Sequence, residues 1–413
     1  MNPTRPGLRP LAFLALLAAF VLPGCVVQDQ RPMARVAAER ATTEVAEDER
    51  LDVGVRLFDP NVPESEEEQQ ERRIFPEVRK AESRYVPLLI RDTLEGTGQW
   101  GQVRVLPREG TGMEVYVDGR IVESTGRELE LDVTVSDATG RTWYRKTYKG
   151  QADTRAYKDG ISKPRDPFEN VYATIANDLL AARRDMSKDE RVRIRQVADL
   201  RFATELAPYA FGSYLARDRK GMYSPVRLPA ADDPVVQRVQ RVRERDYALI
   251  DTLNEHYANF GANLDLPYTN WRKYSYEELE AEALAKREAL TRQVLGAVAV
   301  VGGIMAGQQT NSSAGSAAAS AAVIGGMYAF KSGLDRRAET KVHTESLKQL
   351  GESFQAEVQP MVVDVEGRTL ELKGSAEEQY AEWRRLLREL YENETGLPAT
   401  AGAAASVPSP RQP

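Results

Sequence analysis

Residues 293–330 contain no charged residue, and this stretch limits what the chain can fold into more than any other feature. A polar turn at 308–313 divides the stretch into two arms, so it is not a single membrane span. Small residues at four-residue spacing let two helix backbones approach closely. The arms carry such runs at Gly303 and Gly307, at Ala317, Ala321 and Gly325, and at Ala318, Ala322 and Gly326. The sequence therefore predicts a long antiparallel helical hairpin with a glycine-zipper tip.

The amino terminus has the pattern of a secretory signal. Arg5 and Arg9 precede an apolar run at 11–22, which is shorter than the roughly 20 residues that a spanning helix needs. The run ends at Pro23 and Gly24, and the next residue, Cys25, is the only cysteine in the chain. Residues 1–24 are therefore expected to be a signal peptide.

The segment Leu22-Pro23-Gly24-Cys25 resembles the lipobox of bacterial lipoproteins. That resemblance implies that the Cys25 thiol receives acyl chains such as palmitate, that the chain is cut between Gly24 and Cys25, and that residues 25–50 form a lipidated tether. Several acyl chains anchor a protein far more firmly than one. No aspartate follows Cys25, which by resemblance to enterobacterial lipoproteins implies an outer-membrane lipoprotein facing the periplasm. The alternative is a buried or free cysteine near an uncleaved anchor.

Residues 51–183 carry the patterns of an α+β module with helices on one face of its sheet. Apolar and polar residues alternate in five stretches, as in strands, at 51–57, 103–105, 113–121, 129–135 and 143–148. Apolar residues recur at helical spacing at 78–89 and 168–179. Asp166, Pro167 and Glu169 have the pattern of a helix start. The turn sequence at 137–140 predicts a hairpin between the last two strands.

This module resembles a periplasmic domain that recurs in several bacterial envelope proteins. The matching pieces are DGRIVES at 118–124 and VSDATGRTWYRKT at 135–147. The domain occurs in curli-secretion-type lipoproteins, in lipoprotein activators of peptidoglycan synthases, and at the amino terminus of the Tol-system β-propeller protein. The resemblance implies a fold and a place in the envelope, and it carries no catalytic residues. The long amphipathic strands of a curli-type secretion barrel have no counterpart, which argues against a pore.

The remainder of the chain is predicted to be mainly helical. Residues 187–358 carry apolar residues among many charges, with four prolines as breaks: Pro208, Pro225, Pro229 and Pro267. Residues 359–393 have the pattern of a small β-hairpin followed by a helix, which Ser375 would cap. Residues 394–413 are rich in Ala, Pro and Ser and are expected to form a disordered tail.

Composition and motifs argue against several classes of function. The chain has two histidines and one cysteine, which nearly excludes a zinc site built from these residues and excludes a disulfide-stapled fold. A net charge of −6 gives no basic excess for nucleic-acid binding. Residues 96–101 have the glycine spacing of a dinucleotide fingerprint but follow a predicted helix instead of a strand. We therefore expect no metal, no cofactor and no catalytic activity.

Three environments are compatible with the apolar tip. It can be buried in self-assembly or in contacts with another protein, inserted in the outer membrane, or packed as an ordinary core hairpin. As a helix the first arm, 294–307, would be roughly 21 Å long, against a bilayer core of about 30 Å, so a full crossing would be strained. Glycine weakens a helix by about 1 kcal/mol relative to alanine, which disfavours an ordinary soluble core.

The sequence thus predicts a non-catalytic outer-membrane lipoprotein that acts in envelope assembly or partner docking. Its expected partners are membrane lipid, through the acyl chains on Cys25, a second copy of itself, and an envelope protein. The alternative is a periplasmic regulator of a cell-wall synthase or of a secretion component. A regulator must reach an inner-membrane enzyme, and a polar tether of 25–50 would extend by at most about 90 Å.

Overall fold

The computed structural model describes residues 34–108, 111–152, 157, 166–230, 232–306, 361–365, 368–372 and 375–395. The strands are β1 (Val53–Arg56), β2 (Val103–Leu106), β3 (Val115–Ser124), β4 (Glu128–Asp137), β5 (Thr142–Gln151), β6 (Leu215–Arg217), β7 (Tyr223–Pro225), β8 (Met361–Val365) and β9 (Arg368–Leu372). The helices are α1 (Glu66–Glu71), α2 (Pro76–Glu95), α3 (Glu169–Arg184), α4 (Lys188–Leu206), α5 (Pro208–Phe211), α6 (Pro234–Ala306) and α7 (Ala376–Thr395). The predicted α+β class is confirmed.

The main sheet has five strands in the order β2-β1-β3-β4-β5. β1 is parallel to both neighbours, with Val53 opposite Val103 and Val115, and β3, β4 and β5 form an antiparallel meander. The predicted hairpin between β4 and β5 is confirmed. Its turn contains Gly140 with a φ of 87°, a conformation that glycine adopts without strain.

One face of this sheet carries the alternating apolar residues, and α2 and α3 pack against it. At Gly150 in β5 an added Cβ would lie 2.5 Å from the side chain of Val171 in α3, so the glycine allows the close approach of strand and helix. We call the resulting cluster the sheet core. Its central members are Val53, Val55, Val86, Ile90, Val117, Leu131, Val133, Ile175 and Leu179.

A second apolar cluster, the helical core, joins α2, α4, α6 and α7. Its central members are Tyr85, Leu88, Phe202, Leu206, Val242, Leu253, Tyr257, Trp271, Trp383 and Leu387. The α7 helix contributes the apolar stripe that its sequence predicts, and the predicted Ser375 cap is present, since its Oγ accepts the Glu378 N–H at 3.2 Å. The helical core therefore includes elements from both sides of the boundary predicted near residue 185.

The α6 helix runs without a break for 73 residues, about 110 Å. The prediction that Pro267 breaks the helix is wrong. Leu264, Tyr268 and Trp271, on both sides of the proline, are buried in the helical core, and this packing outweighs the one lost hydrogen bond. Residues 294–306 of the first predicted arm belong to α6, and Gly307, the turn and the second arm lie outside the described residues.

Two other details differ from the prediction. The segment predicted to be mainly helical contains a small hairpin, β6 and β7, whose strands of three residues are too short to show alternation. In addition, Asp166 does not cap a helix as a capping box: α3 starts after Phe168, and Asp166 Oδ1 accepts the Phe168 N–H at 2.8 Å. The other oxygen of Asp166 binds Arg272.

Residues 36–50, the second half of the predicted tether, lie along α3 and α4. The Val36 and Glu39 N–H groups donate to Asn170 at 2.9 Å and to Asn177 at 2.8 Å. Lys188 lies 2.7 Å from Asp48, and the Ala41 N–H donates to the carbonyl of Thr97. The length of chain that can act as a tether is therefore shorter than the sequence suggests.

Candidate functional site

The structure brings together none of the residues that the sequence marks as functional. Gly24 and Cys25 lie outside the described residues, and so do Gly307, Ala321, Gly325 and Gly326. Gly303 lies close to the end of α6. Within the part of the chain that the structure describes, no helix is both long enough and apolar enough to cross a membrane. Two features remain for a functional site, the anchored part of α6 and a cleft beside α4.

The anchored part of α6, residues 239–276, is held by buried polar groups as well as by apolar packing. The Arg272 guanidinium lies 4.9 Å from the ring centroid of Phe168 and 4.0 Å from that of Tyr268. It donates to Asp166 at 2.8 Å. Burial opposes the charge, but the pairing with Asp166 prevails and raises the pKa of Arg272, so the guanidinium stays ionised.

The turn between β3 and β4 lies directly against this part of α6. At Gly126 an added Cβ would be 1.9 Å from the carbonyl oxygen of Arg272, so only glycine fits. The Gly126 N–H donates to Ser275 Oγ at 3.2 Å. The fully buried Glu82 of α2 accepts from the Tyr268 hydroxyl at 2.5 Å. These contacts fix both the position and the rotation of α6 against the sheet.

Strand β2 is an edge strand of the main sheet, and α6 packs against this edge. The Asn254 side chain accepts the Val105 N–H at 2.7 Å and donates to the Val105 carbonyl at 2.9 Å. One side-chain amide thus pairs the backbone groups that would otherwise stay buried without partners. Next to it, Arg104 makes a bidentate ion pair with Asp251, with N–O distances of 2.6 and 3.1 Å.

The C-terminal helix α7 docks on α4 and α6 through Arg384. Its guanidinium lies 2.9 Å from Asp246 of α6 and 2.6 Å from Glu205 of α4, and 5.0 Å from the ring centroid of Phe202. Asp246 is fully buried, and this burial raises its pKa to about 6 although Arg384 opposes the shift. For Glu205 the pairing with Arg384 overcomes burial and lowers the pKa.

A cleft of about 250 Å³ opens beside α4, between the start of β3 and the β6–β7 hairpin. Phe202 and Leu215 give it an apolar surface, and Glu205, Arg201 and Tyr223 give it polar groups. The Glu205 carboxylate is already bound by Arg384 and by the Thr111 hydroxyl, the latter at 3.0 Å.

The ring of Tyr223 contacts two guanidinium groups, that of Arg201 in the cleft lining and that of Arg217 next to the lining. The Arg201 guanidinium lies 4.6 Å from its ring centroid and the Arg217 guanidinium 5.3 Å from it. The Tyr223 N–H donates to the Thr139 carbonyl at 2.7 Å, which ties the hairpin to the β4–β5 turn. Arg201 Nη1 donates to the Ala138 carbonyl at 2.8 Å, which ties α4 to the same turn. Arg201 is therefore held in place by the β4–β5 turn as well as by the Tyr223 ring.

The cleft offers groups that can bind a ligand. A guanidinium donates hydrogen bonds and charge, and an aromatic ring provides a flat surface. The Thr111 hydroxyl in the lining already donates to the Glu205 carboxylate. Among the described residues, no group of three His, Cys, Asp or Glu is placed to hold a metal ion.

Sequence reasoning missed every residue of this cleft. Arg201 lies in a helix with many charges, where one arginine among several gives no signal. Arg217 and Tyr223 lie in a short hairpin within the region predicted to be mainly helical. The turn residues Asp218 and Gly221 between them were the one available signal for a hairpin.

No protein-family model matches this chain, and no curated protein or solved structure gives a significant match. The resemblance of Leu22-Pro23-Gly24-Cys25 to a lipobox and that of residues 51–183 to the periplasmic envelope module therefore remain predictions.

Proposed function

We propose that this protein is a non-catalytic lipoprotein, anchored in the outer membrane by acyl chains on Cys25, that acts in envelope assembly or partner docking. In this proposal the glycine-zipper hairpin mediates self-association or inserts into the membrane. The observation that supports it is the form of α6, one unbroken helix that is fixed in the helical core at one end and leads into the charge-free stretch at the other.

A helix anchored in this way is a rigid arm. Contacts of Gly126, Asp166 and Glu82 with the 268–275 part of α6 prevent it from sliding or rotating. The helix then continues for 22 residues beyond Leu284, about 33 Å. Gly303 lies about 28 Å of helix beyond Leu284. A rigid helix with an apolar end suits a protein that assembles with copies of itself or with a membrane at a fixed distance.

The contacts of residues 36–50 bear on where the protein acts. With residues 36–50 bound in this way, the chain from Cys25 to Val36 extends by at most about 40 Å, compared with about 90 Å for the whole segment 25–50. That length suits a protein that works close to its own membrane. It weakens the reach on which the alternative, a regulator of an inner-membrane enzyme, depends.

The lipid anchor is tested by Cys25→Ala. We expect an uncleaved precursor that leaves the outer-membrane fraction, because neither acylation nor the cut before residue 25 can occur. Membrane fractionation and the mass of the purified chain measure the two effects. Normal processing together with normal pelleting would rule out the lipoprotein proposal.

The zipper is tested by Gly303→Leu combined with Gly325→Leu. We expect a smaller oligomer or loss of membrane insertion with the sheet still folded, because leucine would hold two helix backbones apart. Size in detergent and thermal unfolding are compared with those of Ala262→Leu, which changes an exposed alanine on the same helix. An unchanged size with raised stability would mean that the tip is a plain helical arm.

A further inference from the structure

Arg201, in the cleft lining, and Arg217, next to it on the Tyr223 ring, differ from four other arginines of the fold. Arg104, Arg243, Arg272 and Arg384 each pair with a carboxylate, of Asp251, Asp199, Asp166 and Asp246 respectively. Among the residues that the structure describes, Arg201 and Arg217 have no carboxylate within ion-pair distance, although the chain has 62 acidic residues against 56 basic ones. The positive charges of these two side chains are therefore available to bind an anionic group.

The geometry points to a carboxylate-binding site in this cleft, occupied by a carboxylate group of a partner polypeptide that has an apolar side chain beside it. Arg201 uses one of its five N–H donors on the Ala138 carbonyl and keeps the others. Arg217 lies on the same tyrosine ring and is largely exposed. Guanidinium groups bind carboxylates through paired hydrogen bonds, and two of them give charge as well as orientation.

The other charges near the cleft do not cancel this pair. Glu205 lies in the lining, but its carboxylate is balanced by Arg384. Asp218, in the β6–β7 turn, accepts the N–H groups of Lys220 and Met222, both at 2.8 Å. The same turn adds the positive charges of Arg219 and Lys220. The β6–β7 hairpin next to the cleft thus carries three positive charges, of Arg217, Arg219 and Lys220, against the single negative charge of Asp218.

The apolar lining favours a polypeptide carboxylate over inorganic phosphate as the bound anion. Phe202, Leu215 and Ala198 line the cleft together with Arg201, and about 250 Å³ is room for a side-chain-sized group, not for a large cofactor. Inorganic phosphate has no apolar part to place there. A polypeptide carboxylate can bind the guanidinium groups while an apolar side chain next to it contacts Phe202, Leu215 and Ala198. This inference does not depend on the lipid anchor or on the zipper.

The test uses the full chain and the dipeptide acetyl-Ala-Leu with a free carboxylate. Its C-terminal amide and inorganic phosphate are the two comparison probes, and binding is followed by titration calorimetry and by chemical-shift changes. We expect the free carboxylate to bind at least tenfold more tightly than the amide, and more tightly than phosphate. Its affinity should fall as salt is added, because the contact is ionic.

Arg201→Gln and Arg217→Gln should each weaken binding of the carboxylate at least tenfold. Arg193→Gln, on the exposed side of α4, is the matched control and should leave the affinity unchanged. Arg217 is exposed, so its variant should fold normally even if Arg201→Gln does not. Equal binding of acid and amide, equal affinities in the Arg217→Gln and control variants, or tighter binding of phosphate than of the dipeptide would each overturn the proposal.

Discussion

In the sheet core, aliphatic side chains from alternating strand positions meet two helices, whereas in the helical core aromatic rings and buried ion pairs join segments that are far apart in the sequence. Tyr268 is 5.4 Å from Tyr85 in an edge-to-face contact and stacks on Trp271 at 5.9 Å. Apolar burial tolerates small shifts of its members, but a buried charge needs its partner in place. The helical core should therefore be the more sensitive to single changes and to pH.

The largest effect is expected for Arg384→Met. It leaves the fully buried Asp246 without its partner, which typically costs about 3–5 kcal/mol. Urea unfolding measures the cost, and hydrogen exchange should become fast in α7 while it stays slow in β4. The neighbouring Arg385 is exposed and pairs only along α7, so Arg385→Met should cost below about 1 kcal/mol. Equal costs for the two variants would contradict the conclusion that the helical core is sensitive to the loss of a buried ion pair.

The pH dependence of stability should come next in size. Burial raises the pKa of Asp246 from 3.8 to about 6, so the folded state releases this proton at a higher pH than the unfolded state does. Stability should therefore fall as the pH rises from about 4 to about 6, by about 3 kcal/mol, and then level off. The measurement is the difference in unfolding free energy between the wild type and Asp246→Asn at each pH. A difference that does not change with pH would show that Asp246 titrates normally.

A smaller effect is expected at the border between the cores. Asn254→Ala removes the amide that pairs with both backbone groups of Val105, and leaving buried backbone groups unpaired costs about 1–3 kcal/mol. Asn263→Ala, on the exposed side of the same helix, is the control and should be nearly neutral. Faster hydrogen exchange at Val105 alone would locate the effect. If the two variants unfold alike, the amide is not needed to hold β2 against α6.

The two cores also differ in how far the sequence predicts them. The alternation of Leu129, Leu131, Val133 and Val135 identifies β4 directly, because a strand places every second residue on one face. The pairing of Asp246 with Arg384 leaves no such mark, since the two residues are 138 positions apart. A local pattern predicts the sheet core, while only the folded chain reveals the partners in the helical core.

The features that the sequence did not predict have the same cause. Pro267 reads as a helix break locally, but the buried residues on both sides of it keep α6 intact. Residues 36–50 have no periodicity and read as a tether, but Asn170 and Asn177 bind their backbone. Arg201 and Arg217 become a candidate site only when Tyr223 brings them together. Each of these features depends on contacts between distant residues, which a single sequence does not display.

The amide of Asn254 also affects how this protein behaves among other chains. An open strand edge is a template on which a foreign strand can add, which leads to aggregation. At β2 the amide occupies the Val105 groups that such a strand would use. At the opposite edge, where β5 pairs only with β4 among the described strands, Arg145, Lys146 and Lys149 place charges along the strand. The sheet is thus protected from unwanted growth by a hydrogen-bonding side chain on one side and by charge on the other.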